Sequence, residues 1–127
     1  MASFVDNIET LTKENTNFRK VLFTGKHTQL VVMSLKPGEE IGLETHNHVD
    51  QFFRVDKGNG EVIIDGKTSQ ITDGFAVIVP AGSEHNIVNT GETDLQLYTL
   101  YSPPNHPDGT IHKTYQEAMD AEDEHSH

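Results

Sequence analysis

The 127-residue chain contains no cysteine and no tryptophan. Without cysteine there is neither a disulfide framework nor a thiolate metal site. Basic residues are few: 9 Lys and Arg stand against 20 Asp and Glu, a formal net charge of -11 with histidines neutral. That balance argues against a nucleic-acid backbone or an anionic membrane surface as a partner. No apolar run approaches the roughly 20 residues that cross a bilayer. The first ten residues, MASFVDNIET, lack the basic and apolar regions of a secretory signal. A soluble, cytoplasmic protein is the expectation.

What the chain does have is a series of short apolar stretches between turn signals. FRKVLFT, HTQLVVMSL, DQFFRVD, EVIID, TSQI, FAVIV, EHNIVN and TDLQLYTLY read as strands, and EIGLETH has alternating character. Turns are expected at Thr24–Lys26, Pro37-Gly38, Lys57–Gly60, Asp65-Gly66, Asp73-Gly74, Pro80–Gly82 and Thr90–Glu92. DNIETLTKEN predicts a short helix capped by Asp6, with Glu9 completing a capping box. SPPNHPDGT reads as irregular, KTYQEAMDAEDE as a final helix, and the acidic end from about residue 120 to 127 as flexible. No helical pattern lies between strands, so a βαβ arrangement is excluded. The pattern predicts one all-β domain over 1–127, a sandwich or small barrel with its core at about 18–102 and short terminal helices.

The chemistry concentrates in HNHVDQFF, residues 46–53. On a strand, residues two apart share a face. Glu44, His46 and His48 then line one side, and Gln51 joins them only if the chain bends near Val49-Asp50. Gln51, Phe53 and Val55 share the interior face of the next strand, leaving Phe52 on the outer face. His85 begins another strand after the Pro80–Gly82 turn and shares a face with Ile87 and Asn89. Imidazoles suit Zn, Cu, Fe and Ni, and an amide oxygen suits harder ions. Histidines hydrogen-bonded at a sheet rim explain an isolated His-x-His equally well. Glu44 reads as an acceptor beside the donors and as the nearest candidate base. Tyr98 and Tyr101 lie on opposite faces of the last long strand, so one of them can reach the pocket. His27, His106 and His112 lack companion donors at ligand spacing, and surface roles are expected for them.

GFAVIVPAGSEHNIVN resembles the second motif of the cupin family at every fixed position: Gly74, Pro80, Gly82, His85 and Asn89. His46, His48 and Gly58 match the first motif. Gln51 stands where that family usually carries glutamate, and Glu40 where it carries a leading glycine, although Gly38 and Gly42 flank that position. The chain is also similar to small bacterial cupins loosely labelled as mannose-6-phosphate isomerase-like. The resemblance implies a double-stranded β-helix, a jelly-roll barrel holding one divalent transition metal at one end. It implies His46, His48, His85 and Gln51 as the ligands, and a homodimer.

Gln51 is neutral where glutamate is anionic. Three imidazoles and an amide leave a divalent ion its full charge, which favours an anionic or chelating small-molecule ligand. Such a site holds Mn(II) less tightly than a carboxylate site does, while Zn, Fe, Ni and Co remain open. Two functions follow. One is a metal-dependent enzyme, an isomerase or dioxygenase, acting on a small oxygenated metabolite. The other is a module that binds a small ligand or a metal without turnover.

Overall fold

The computed structural model describes the backbone of residues 2–125 and the side chains of residues 2–121. Helix α1 spans Ile8–Glu14 and begins one residue later than the capping-box reading placed it. Its N-cap is Asn7, whose side-chain oxygen accepts the Thr10 N–H at 3.1 Å. Asp6 instead accepts the N–H of Asn7. The helix is tied to the barrel by Gln96, whose amide donates to the carbonyls of Lys13 and Asn15.

Ten strands follow: β1 (Arg19–Thr24), β2 (Gln29–Leu35), β3 (Glu44–Thr45), β4 (Asp50–Lys57), β5 (Asn59–Ile64), β6 (Lys67–Thr72), β7 (Ala76–Val79), β8 (Glu84–Val88), β9 (Leu95–Ser102) and β10 (Ile111–His112). They form two antiparallel sheets, one ordered β10-β1-β2-β9-β4-β7 and the other β3-β8-β5-β6. This is the expected all-β jelly-roll architecture. The core between the sheets includes Met33, Leu35, Phe53, Ile87, Leu95 and Leu97, all essentially inaccessible to solvent. Strand β2 is buried along its whole length.

Parity works as the sequence predicts on β4: Gln51, Phe53 and Val55 are buried, while Phe52 and Arg54 are half-buried on the other face. His85, Ile87 and Asn89 are buried as well. Asn89 acts as a tie between segments. Its amide donates to the carbonyls of Leu35 and Thr93, and its oxygen accepts the Gly91 N–H.

Three segments differ from the sequence reading. EIGLETH is strand only at Glu44–Thr45, preceded by a single bridge from Glu40 to Val88. Between the Glu40–Val88 and Glu44–His85 pairs the register advances by one residue. The extra residue is accommodated around Gly42, whose φ of 104° few side chains tolerate. Between the irregular stretch 102–110 and the final helix lies β10, which the sequence reading did not assign and which pairs with β1 through Arg19–His112 and Lys20–Ile111. Helix α2 runs Tyr115–His125, starting two residues later than the final helix expected over 113–124. Residues 126 and 127 lie outside the described residues.

Candidate metal centre

Backbone contacts bring the two histidine-bearing segments together. The Gly82 N–H donates to the carbonyl of His46 at 2.8 Å, and the Ala81 N–H donates to Asp50 Oδ1 at 2.8 Å. Gly82 takes a φ of 90°, a conformation that a β-carbon would strain. The turn that launches His85 is therefore anchored to the turn that carries His46. Glu44 on β3 is the direct cross-strand partner of His85 on β8.

The side chains of Glu44, His46 and His85 each place one ligand atom within 4.8 Å of the others. Glu44 Oε2 lies 2.9 Å from His46 Nε2, and the two imidazole rings have centroids 5.5 Å apart. Gln51 completes the group. Its Oε1 lies 3.1 Å from His85 Nε2, and its amide donates to Thr99 Oγ1 at 3.0 Å. Gln51 and His85 are each 2% exposed.

His48 is placed differently from the sequence reading. Strand β3 stops at Thr45, and residues 47 and 48 form a turn with His48 exposed. The shared strand face expected for Glu44, His46 and His48 therefore does not extend to His48, which lies outside the group just described.

The donor set fits a cation on a specific observation. Both ring nitrogens of His85 face oxygen acceptors: Nδ1 faces the Ser83 carbonyl at 3.2 Å and Nε2 faces Gln51 Oε1. A neutral imidazole has one N–H and can donate to only one of them. With Nδ1–H donated to Ser83, the Nε2 lone pair and the Gln51 oxygen point at each other. A metal ion between them relieves this arrangement, with the Ser83 carbonyl holding the tautomer; so does a turned amide, in which Thr99 donates to the Gln51 oxygen and the Gln51 amide donates to Nε2.

Comparison with known proteins identifies the family and the fold. The model of the cupin domain matches residues 31–101. The chain belongs to the cupin family. It is 50% identical over 127 residues to the uncharacterized protein YrkC of Bacillus subtilis, covering 94% of this chain and 68% of that one. The crystal structure of BH2720 from Bacillus halodurans superposes with a TM-score of 0.92 at 46% identity, covering 94% and 95% of the two chains. A distant similarity, 27% over 70 residues, links 55% of this chain to 15% of a mannose-1-phosphate guanylyltransferase from Klebsiella pneumoniae.

In this cupin Glu44 and His46 open onto a cavity of about 540 Å³ whose lining also includes Arg19, His106 and His112. Two histidines expected at the surface are thus cavity residues. His106 lies on the loop after β9, with Nε2 3.2 Å from the hydroxyl of the buried Tyr101. Burial, followed by the nearby positive charge of Arg19, pushes its pKa down to about 3, so it is neutral at physiological pH. Gln29 holds this loop in place. Its oxygen accepts the N–H groups of Asn105 and His106, and its amide donates to the His106 carbonyl. Tyr101 is the tyrosine that reaches the site, its ring 6.0 Å from that of His46, whereas Tyr98 stacks near Phe52 on the outer face. Sequence spacing could not reveal Arg19, because its inward direction depends on pairing with β2 and β10.

Proposed function

We propose that this cupin binds one divalent transition ion through His46, His85 and Gln51 and acts on a small oxygenated anion as an isomerase or dioxygenase. The convergence of Glu44, His46 and His85 within 4.8 Å, with Gln51 Oε1 facing His85 Nε2, carries the reading. His48 enters as a fourth donor on its motif position.

When bound, the ion supplies Lewis acidity toward a substrate oxygen or, for a redox metal, oxygen chemistry. The chain's own residues do the rest. Thr99 and Ser83 hold Gln51 and His85 in orientation. Glu44, beside His46, is the carboxylate placed to accept a proton from a molecule in the cavity. The loop held by Gln29 lines the cavity and keeps neutral His106 against Tyr101.

Metal analysis of tag-free protein reconstituted separately with Fe(II), Ni(II), Zn(II) and Mn(II) tests the reading. One ion per chain is expected, with His46→Ala and His85→Ala losing it while circular dichroism stays that of a folded β protein. Absence of stoichiometric metal, or variants that bind as tightly as wild type, would falsify the site. Oxygen uptake by the iron form over a panel of small organic acids then separates dioxygenase from isomerase chemistry.

A further inference from the structure

Arg19 is the first residue of β1 and points between the sheets. It is 1% exposed and is among the largest fully buried side chains of the barrel. A guanidinium stays protonated under all physiological conditions. Burying such a charge without compensation costs several kcal/mol. Its partners are weak ones for a cation. Nη1 lies 3.2 Å from His112 Nδ1, and the guanidinium carbon lies 5.5 Å from the centroid of the Phe18 ring. Nε is buried and makes no hydrogen bond. Among the described residues, no carboxylate stands within ion-pair distance of Arg19.

The same side chain lines the cavity that contains Glu44 and His46. We propose that Arg19 is an anion anchor, and that the small molecule this cavity takes is an organic acid whose carboxylate docks on the Arg19 fork. With Nε itself buried, the Nη groups are the donors that can face a ligand, and their N–H bonds are the ones a carboxylate accepts. A single arginine sharing the cavity with the Glu44 carboxylate suits a monoanionic group better than a phosphate dianion. At about 540 Å³ the space admits a small organic acid. Arg19 lines the cavity together with Glu44 and His46. The acid would be held by its carboxylate at Arg19, with its oxygenated carbon toward His46 and Glu44. This orientation rests on the function proposed above; the anchor itself does not.

The chain has two arginines, Arg19 and Arg54, so its Nε–H region in a nitrogen-15 correlation spectrum contains two assignable signals. Titrating metal-free protein with lactate, a monoanionic hydroxy acid, should shift the Arg19 signal saturably and leave that of Arg54 in place. Phosphate should act at least about tenfold more weakly. Arg19→Lys keeps the charge and removes the planar fork; it should weaken lactate binding about tenfold or more, read by calorimetry. Because Arg19 is buried, Arg19→Gln is needed only if the lysine variant fails to fold, and the wild-type titration decides by itself. An Arg19 signal that does not move at saturating lactate overturns the proposal. Tighter binding of phosphate than lactate overturns the carboxylate assignment. Using metal-free protein keeps this result separate from any failure of the metal site.

Discussion

Gln51 Oε1 lies 3.1 Å from His85 Nε2 at the buried end of the barrel, while the Gln51 amide is committed to Thr99. This pair decides the charge of the site. A glutamate at position 51 has the same reach, and the Thr99 hydroxyl can donate to a carboxylate as readily as it accepts from an amide. Gln51→Glu is therefore expected to fold normally and to shift metal preference toward harder ions, above all Mn(II). Competition among Mn, Fe, Ni and Zn followed by mass-spectrometric metal analysis measures the shift. An unchanged preference would remove Gln51 from the ligand set and leave the histidines.

Those parts of the site that depend on strand parity were legible in the sequence. Gln51, Phe53 and Val55 on β4, and His85, Ile87 and Asn89 from β8 onward, face inward as the period of two requires. His48 was misplaced because the strand it was assigned to ends at Thr45. Gly42 signalled only the irregularity upstream of Glu44, since a glycine inside an alternating stretch marks a bulge. Arg19, His106 and His112 were invisible for a different reason. β10 is two residues long and has no period to read, and it meets β1 across more than 90 intervening positions. Long-range pairing, rather than local pattern, turns those residues toward the cavity.

Asn89 gives a stability prediction. Truncation in Asn89→Ala leaves the Leu35 and Thr93 carbonyls without their donor and the Gly91 N–H without its acceptor, at a position 1% exposed. Unsatisfied buried groups of this kind cost about 1–3 kcal/mol each, and partial access of water lowers the sum. A loss of about 3 kcal/mol in urea unfolding is expected, with an unchanged denaturant slope. A loss below about 1 kcal/mol would show that the tie is not structural.

Assembly can be tested on the outer face of the six-stranded sheet. Phe52 is flanked across the strands by Ile78 and Leu100, and Ile78 is 68% exposed. An apolar row of this kind on a sheet is the kind of surface that a second copy covers. Light scattering is expected to give twice the chain mass at micromolar concentration, and Ile78→Lys is expected to lower it. A wild-type protein that scatters as a monomer ends the dimer reading.

His106 predicts the acid behaviour of the metal-free protein. In the folded state burial holds its pKa at about 3, while an unfolded histidine titrates at about 6.5. Above pH 6.5 both states are neutral at this residue, and it contributes no pH dependence. Below pH 6.5 the unfolded chain takes up a proton that the folded protein refuses. The unfolded state then binds more protons, so stability falls as pH falls, across the window from about 6.5 to 3. The limiting slope from this one group is about 1.4 kcal/mol per pH unit. Urea unfolding in the presence of a chelator, at pH 7.5 and at pH 5.5, should show a loss about 1 kcal/mol larger for wild type than for His106→Gln. The glutamine retains a group able to bond the Tyr101 hydroxyl but does not titrate. Equal losses in the two proteins would mean that His106 is hydrated enough to protonate in place, and the loop held by Gln29 would then be no barrier to water.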